Sequence, residues 1–161
     1  MAELTFTYQT FATRAELPAD LLELLIAAEA ACQNSYAPYS KFHVGAALKL
    51  TSGEIIQGAN QENAASPAGL CAERTALYTT GFKYPQASIT HIAIAATRSK
   101  GEPHYLPITP CGGCRQVLKE FEEKQNQPIQ MLMPLPSGEY ALLPATGTLL
   151  PFSFGAGHMN P

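Results

Sequence analysis

Three cysteines stand at positions where their thiolates could share one metal ion. Cys111 and Cys114 are separated by two residues in a Pro-Cys-Gly-Gly-Cys sequence, and Cys71 precedes them in the chain. A structural zinc site uses four protein ligands, whereas a catalytic site uses three and leaves the fourth position to water. The spacing therefore predicts a catalytic site in which Cys71, Cys111 and Cys114 bind one Zn²⁺ per chain.

Glu73 follows Cys71 by two residues and is the candidate catalytic group. A carboxylate beside the open position could take a proton from water and deliver it to a ring nitrogen and then to a leaving amine. Zinc would make that water reactive near neutral pH. The simpler alternative is that Glu73 only complements the positive N-terminus of a helix.

Two other interpretations of the thiols remain open. A closed structural zinc site could be completed by Cys32 or by a histidine, although Cys32 falls in an apolar helical stripe where a small buried residue is expected. Disulfides would require a secreted chain. The N-terminus lacks the apolar segment of a signal peptide, so we expect a cytoplasmic protein whose thiols stay reduced.

Residues beside the ligands could adjust the charge of the site. Three thiolates on a divalent cation leave excess negative charge, which hydrogen-bond donors to the sulfurs can offset. Arg74 and Arg115 adjoin the cysteines, and Gln116 follows. Arg74 is the first candidate for this task and Gln116 the second, the alternative for Arg74 being an exposed helix arginine.

Hydrophobic periodicity predicts the elements that position these residues. We expect a short extended arm over 1–17, loops over 60–70 and 99–109, and a tail of short helix and coil from 144. The predicted helices cover 18–34, 71–80 and 111–124, and the predicted strands cover 43–50, 54–59, 90–97, 129–133 and 140–143. Both ligand segments then lie where a loop enters a helix, and a helix N-terminus favours thiolate over thiol.

Strands and helices alternate after an opening hairpin, which predicts an α/β fold. The expected architecture is a three-layer α/β/α sandwich with a mixed, mostly five-stranded sheet. The length of 161 residues fits a single domain over 1–161.

Composition limits the partners. Only 14% of the residues are charged, which hints at surface buried in an oligomer, and the net charge is −3. The chain has no run of lysine or arginine, so we expect no nucleic-acid partner. It has no apolar run of the ~18 residues that span a bilayer, so we expect no membrane partner.

The sequence resembles the small, homotetrameric, three-cysteine class of cytidine deaminases. The matching segments run through nearly the whole chain: 36–40, 42–48, 60–64, 71–76, 110–116 and 149–151. The cysteine motifs alone would fit many deaminases. The Asn-x-Glu-Asn-Ala segment at 60–64 narrows the resemblance to enzymes that act on free nucleosides.

This resemblance implies a cytidine deaminase-like fold and a zinc hydrolase of pyrimidine salvage. The implied reaction converts cytidine and 2′-deoxycytidine to uridine and 2′-deoxyuridine and releases ammonia. In the family, residues matching Asn60 and Glu62 hold the ribose 3′-hydroxyl, and an aromatic matching Phe42 packs on the pyrimidine. The resemblance also assigns Ala72 to the substrate site and Phe154 to closing the pocket from a neighbouring subunit.

The sequence departs from the family pattern at two places and leaves other functions to weigh. Family members often carry an aromatic where this chain has Ser66-Pro67, and the tail 155–161 has no clear counterpart. Deaminases of blasticidin S share the cysteine motifs and are the alternative within the same chemistry. A deaminase of tRNA or DNA bases would need a basic surface, and a non-enzymatic zinc module would not need Glu73.

Overall fold

The computed structural model describes residues 1–101 and 104–159. Its helices are α1 (Ala19–Ala31), α2 (Ala72–Lys83) and α3 (Gly112–Gln125). Its strands are β1 (Gln9–Phe11), β2 (His43–Leu50), β3 (Ile55–Ala59), β4 (Ile89–Thr97), β5 (Gln130–Pro134) and β6 (Tyr140–Leu143). Single 3₁₀ turns include Thr146–Leu149 and Ala156–His158 in the tail.

One mixed sheet of six strands, in the order β1-β6-β5-β4-β2-β3, forms the middle layer. Strands β4 and β5 pair in parallel across the α3 connection, and the other pairs are antiparallel. The prediction of mostly five strands is one strand short. Part of the expected N-terminal arm pairs with β6 at the edge, and three residues are too few to show a strand period.

Helix α1 covers one face of the sheet. Its apolar residues Leu21, Leu24, Leu25 and Ala28 recur at helical spacing and are buried. They pack against apolar side chains of the sheet, three of them small: Ala47, Ala93, Ala95 and Leu132. The helix comes so close that a Cβ at Gly45 would lie 2.0 Å from the carbonyl oxygen of Ala28.

Helices α2 and α3 cover the opposite face, which confirms the three-layer sandwich. Ala76, Leu77 and Leu118 from the helices share one buried core with sheet residues such as Leu48 and Ile94. The sequence predicted that helix α2 ends at residue 80, before Gly81. In the structure it continues to Lys83. Gly81 serves the packing of the two helices, because a Cβ there would lie 3.4 Å from Cζ of Phe121.

The sheet brings the starts of α2 and α3 together at one end of its strands. The beginning of β2 pairs with the ends of both neighbours, Gly45 opposite Ala59 of β3 and His43 opposite Thr97 of β4. Helix α2 follows β3 in the chain and α3 follows β4. Both helices therefore begin at the end of the sheet where β2 starts, and the residues at their N-termini can meet.

Two predicted segments extend beyond the described residues. The loop over 99–109 includes Glu102 and Pro103, and the tail includes Asn160 and Pro161, all of which lie outside them. Within 1–101 and 104–159, none of the helices combines the length and apolar character that crossing a bilayer requires.

Candidate active site

The three predicted zinc ligands meet at the helix starts. Cys71 is the N-cap residue of α2, Cys111 is the N-cap residue of α3, and Cys114 lies one turn into α3. The Sγ atoms of Cys71 and Cys111 are 3.7 Å apart, and those of Cys111 and Cys114 are 3.5 Å apart. With Zn–S bonds of about 2.3 Å, a tetrahedral zinc site separates its sulfurs by about 3.8 Å. The cluster therefore fits a zinc ion with three protein ligands.

The chemistry of the three sulfurs also fits a cation. The pKa of Cys71 is lowered to about 5, first by its hydrogen bond with Cys114 and then by Arg74. The pKa of Cys114 is raised, first by the same hydrogen bond and then by burial. These opposite shifts show that adjacent sulfurs resist being charged together when no cation lies between them. A divalent ion would let all three bind as thiolates.

Arg74 lies beside the sulfurs. Its Nη2 donates to the Gly69 carbonyl at 3.2 Å and approaches the Cys71 sulfur at 3.9 Å. Its Nε is buried and has no hydrogen-bond partner among the described residues. The guanidinium therefore faces the cluster with its positive charge, which would offset the extra negative charge of three thiolates on zinc.

Glu73 is buried in the first turn of α2. Only 3% of the residue is exposed, and burial is the main reason that its pKa is raised above that of an exposed glutamate. It lines the same cavity as Cys71 and Cys111. A buried carboxyl group in a cavity beside three potential metal ligands is well placed to exchange protons with a bound molecule.

A cavity of about 670 Å³ opens over the cluster, a volume typical of small-molecule sites. Four stretches of chain line it: the turn at 39–44, the loop at 60–66, the start of α2 and the residues before α3. The structure thus brings together most of the predicted site residues: Phe42, Asn60, Glu62, Cys71, Ala72, Glu73, Arg74 and Cys111.

Asn60 and Glu62 line the cavity and also brace the turn at 39–44. The Asn60 amide donates to the Phe42 carbonyl at 2.9 Å and accepts from the Val44 N–H at 2.8 Å. One Glu62 oxygen accepts from the N–H groups of Tyr39 and Ser40. Hydrogen bonding from Ser40 is the main reason that the pKa of Glu62 is lowered. Each side chain keeps further hydrogen-bonding capacity, because an amide has four sites and a carboxylate has two oxygens.

Besides the buried ligand Cys114, two predicted residues do not line the cavity. Gln116 donates from Nε2 to the Phe154 carbonyl at 2.9 Å, so its amide holds the tail rather than a ligand sulfur. The Phe154 side chain is 57% exposed and stacks on His158. Neither residue lines the cavity within the described part of this chain.

The structure adds lining residues that the sequence analysis did not single out. Tyr39, Ser40, Leu70, Ile108 and Thr109 contribute to the wall. Ile108 and Thr109 stand immediately before the Pro110-Cys111 pair. Their position beside a predicted ligand was the one signal that could have identified them.

A family profile matches the segment that contains all three cysteines. The family described as "Cytidine and deoxycytidylate deaminase zinc-binding region" matches residues 19–127. Cys71, Glu73, Cys111 and Cys114 all fall inside that segment.

Proteins with similar sequences or structures are described as cytidine deaminases. A cytidine deaminase of Halalkalibacterium halodurans is 42% identical over 89 residues, which are 55% of this chain and 62% of that protein's length. One of Sporosarcina psychrophila is 40% identical over 102 residues, which are 63% of this chain and 70% of that protein. The crystal structure of a cytidine deaminase from Burkholderia pseudomallei aligns with a TM-score of 0.68 at 37% identity, covering 82% of this chain and 97% of that one.

Proposed function

Because this chain belongs to the cytidine and deoxycytidylate deaminase zinc-binding family, we propose that it is a zinc-dependent cytidine deaminase. The proposed reaction adds water to cytidine or 2′-deoxycytidine and yields uridine or 2′-deoxyuridine with ammonia. The thiol ligands need a reducing compartment, so we propose the cytoplasm as its location.

One observation carries the proposal. Three sulfurs lie together at zinc spacing. Two of them, from Cys71 and Cys111, line the same cavity as the buried carboxyl group of Glu73, and the volume of that cavity suits a nucleoside. A structural zinc site would have a fourth protein ligand, whereas no fourth His, Cys, Asp or Glu joins the cluster within the described chain. Glu73 would have no task in such a structural site.

The chain's own residues can carry each proton transfer. A bound zinc ion supplies Lewis acidity that makes water nucleophilic near neutral pH. Glu73 takes the proton that water loses as its oxygen adds to C4 of the cytosine ring, and passes it to N3. Glu73 then takes the remaining hydroxyl proton and delivers it to the 4-amino group, which leaves as ammonia. Arg74 balances the charge of the ligand thiolates throughout.

The direct test is the loss of cytidine ultraviolet absorbance in the presence of the purified protein. Activity should disappear with a zinc chelator and return when zinc is added. Blasticidin S assayed in parallel separates the two substrate classes. Turnover of blasticidin S without turnover of cytidine would contradict the proposed substrate.

We also propose that Asn60 and Glu62 read the sugar. The remaining oxygen of Glu62 could accept a hydrogen bond from the ribose 3′-hydroxyl, and the amide of Asn60 could donate or accept one. Phe42 would pack on the pyrimidine and Ala72 would belong to the same substrate site, as the family resemblance implies; both line the cavity. Both 2′-deoxycytidine and cytidine keep the 3′-hydroxyl and should react, whereas cytosine and 2′,3′-dideoxycytidine should react poorly.

The sugar proposal predicts a preference that Glu62 controls. Wild-type kcat/KM should be about 10- to 100-fold higher for 2′-deoxycytidine than for 2′,3′-dideoxycytidine, the range expected for losing a hydrogen bond to a charged group. Glu62→Ala should erase much of this ratio, chiefly by slowing the better substrate.

Two controls separate sugar reading from support of the turn. Glu62→Gln keeps an oxygen that can accept from Tyr39 and Ser40, so it should retain the turn and lose only part of the ratio. Gln57→Ala, at an exposed position of β3, should leave the ratio unchanged. Equal efficiency of the wild type on cytosine and cytidine would refute the idea that this loop reads the sugar.

A homotetramer is the proposed assembly, with sites shared between subunits. Large apolar side chains are exposed on α2 and in the tail: Tyr78, Phe82, Phe152 and Phe154. Phe82 is 86% exposed, and apolar surface of this kind is typical of contact regions. Light scattering at micromolar concentration should give the mass of four chains.

Mixed oligomers test whether Phe154 completes a neighbour's site. Glu73→Gln subunits keep Phe154, and Phe154→Ala subunits keep Glu73. Co-refolding the two weakened variants should recover activity, because some sites would combine the intact residue from each. A fully active monomer, or no recovery in mixed oligomers, would contradict the shared site.

A further inference from the structure

Phe42, an aromatic residue of the cavity wall, has a cation over its ring. The guanidinium carbon of Arg98 lies over the Phe42 ring, 5.4 Å from its centroid. This distance is within the range of cation–π attraction. Arg98 comes from the loop after β4, whereas Phe42 precedes β2. The pair therefore ties two segments that meet at the edge of the sheet beside the cavity.

The same arginine also contacts the turn that carries Phe42. Its Nη1 donates to the Ser40 carbonyl at 3.4 Å, and the Ser40 hydroxyl accepts from the Phe42 N–H at 3.0 Å. Between these residues Lys41 has a φ of 53°, a left-handed conformation that is costly for a residue with a side chain. Such a conformation persists where its surroundings hold it.

Arg98 complements the backbone braces of this turn. Asn60 and Glu62 hold the main chain on either side of Lys41, but they do not restrain the Phe42 ring. A ring joined to the backbone by two torsions can adopt several rotamers. A cation over one face favours the rotamer that keeps the ring beneath it. The same ring packs against the core and lines the cavity.

We propose that Arg98 is a positioning residue that orients the Phe42 ring for the pyrimidine of the bound nucleoside. The inference rests on the proposed function, because it takes a nucleoside as the occupant of the cavity. Arg98 touches neither the reacting atoms nor the zinc ligands, so it acts on binding through Phe42. Its loss weakens the affinity for both substrate and product and leaves the chemical step largely unchanged.

The test compares substitutions at Arg98 by kinetics and by binding. Arg98→Ala should raise the KM for cytidine about two- to fivefold, the strength of an exposed cation–π contact, with little change in kcat. The Kd for uridine, measured by calorimetry, should rise by a similar factor. Arg98→Lys keeps a cation and should recover part of the loss, whereas Arg98→Gln keeps only an N–H donor for Ser40 and should not.

Two further variants isolate the ring contact. In a Phe42→Leu background, Arg98→Ala should add no further rise in KM or Kd, because the ring it orients is gone. Lys124→Ala removes another exposed cation–π pair, with Phe121, and should leave both constants unchanged.

Each contrary result has a defined meaning. Unchanged KM and Kd in Arg98→Ala, an equal rise in the Phe42→Leu background, or full recovery by Arg98→Gln would overturn the positioning role. These results would leave the proposed function intact if the wild type deaminates cytidine. A wild type that neither deaminates cytidine nor binds uridine would refute the proposed function and this inference with it.

Discussion

Glu73→Gln should lower cytidine turnover by about 10²- to 10⁴-fold or more while zinc and fold are retained. The amide has nearly the shape of the carboxylate, so the first turn of α2 and the ligand Cys71 stay in place. It cannot accept and return a proton at neutral pH, so both proton transfers to the substrate fail. The measurement is kcat with saturating cytidine, beside zinc content and thermal unfolding.

Glu120→Gln is the matched control for this variant. Glu120 is an exposed residue of α3, and its substitution should leave kcat unchanged. If Glu73→Gln kept near-normal turnover with full zinc, another group would have to move the protons. The buried position of Glu73 would then have a structural explanation only.

Cys114→Ala should remove zinc and activity together. Cys114 is the fully buried member of the cluster, so no water can easily take its place as a ligand. Two remaining thiolates would bind zinc far more weakly than three. Elemental analysis should give about one zinc per wild-type chain and far less in the variant, with kcat/KM falling in proportion to zinc content.

Cys32→Ala is the control, because Cys32 is equally buried but lies in the α1 layer. It should keep its zinc, although the smaller side chain leaves a cavity and lowers the stability. Full zinc in Cys114→Ala, with loss in Cys32→Ala, would overturn the assignment of the ligands. Together the two sets of variants separate metal binding from proton transfer.

The sequence by itself determined the local parts of this protein. The strand at 43–50 and the helix starts beside Cys71 and Cys111 were predicted within a residue of the observed bounds. The periodic spacing of apolar residues, and the change from loop residues to helical spacing at each helix start, depend only on a few neighbouring residues. The prediction of a metal site also rested on local sequence, because Cys111 and Cys114 are separated by only two residues.

Tertiary structure decided what distant segments do to one another. The edge pairing of β1 with β6 and the contact of Arg98 with Phe42 join residues far apart in the chain. No local pattern predicts such contacts, since packing and the available surface select them after the elements have formed.

The hydrogen-bond partners of single polar side chains were also decided by the tertiary structure. Gln116 follows Cys114 by two residues in the chain, yet its amide donates to the Phe154 carbonyl in the tail. Asn60 and Glu62 brace a turn that no sequence pattern connects to them. A polar side chain bonds to the partner that the fold brings within reach, so its type is a property of the sequence and its partner a property of the tertiary structure.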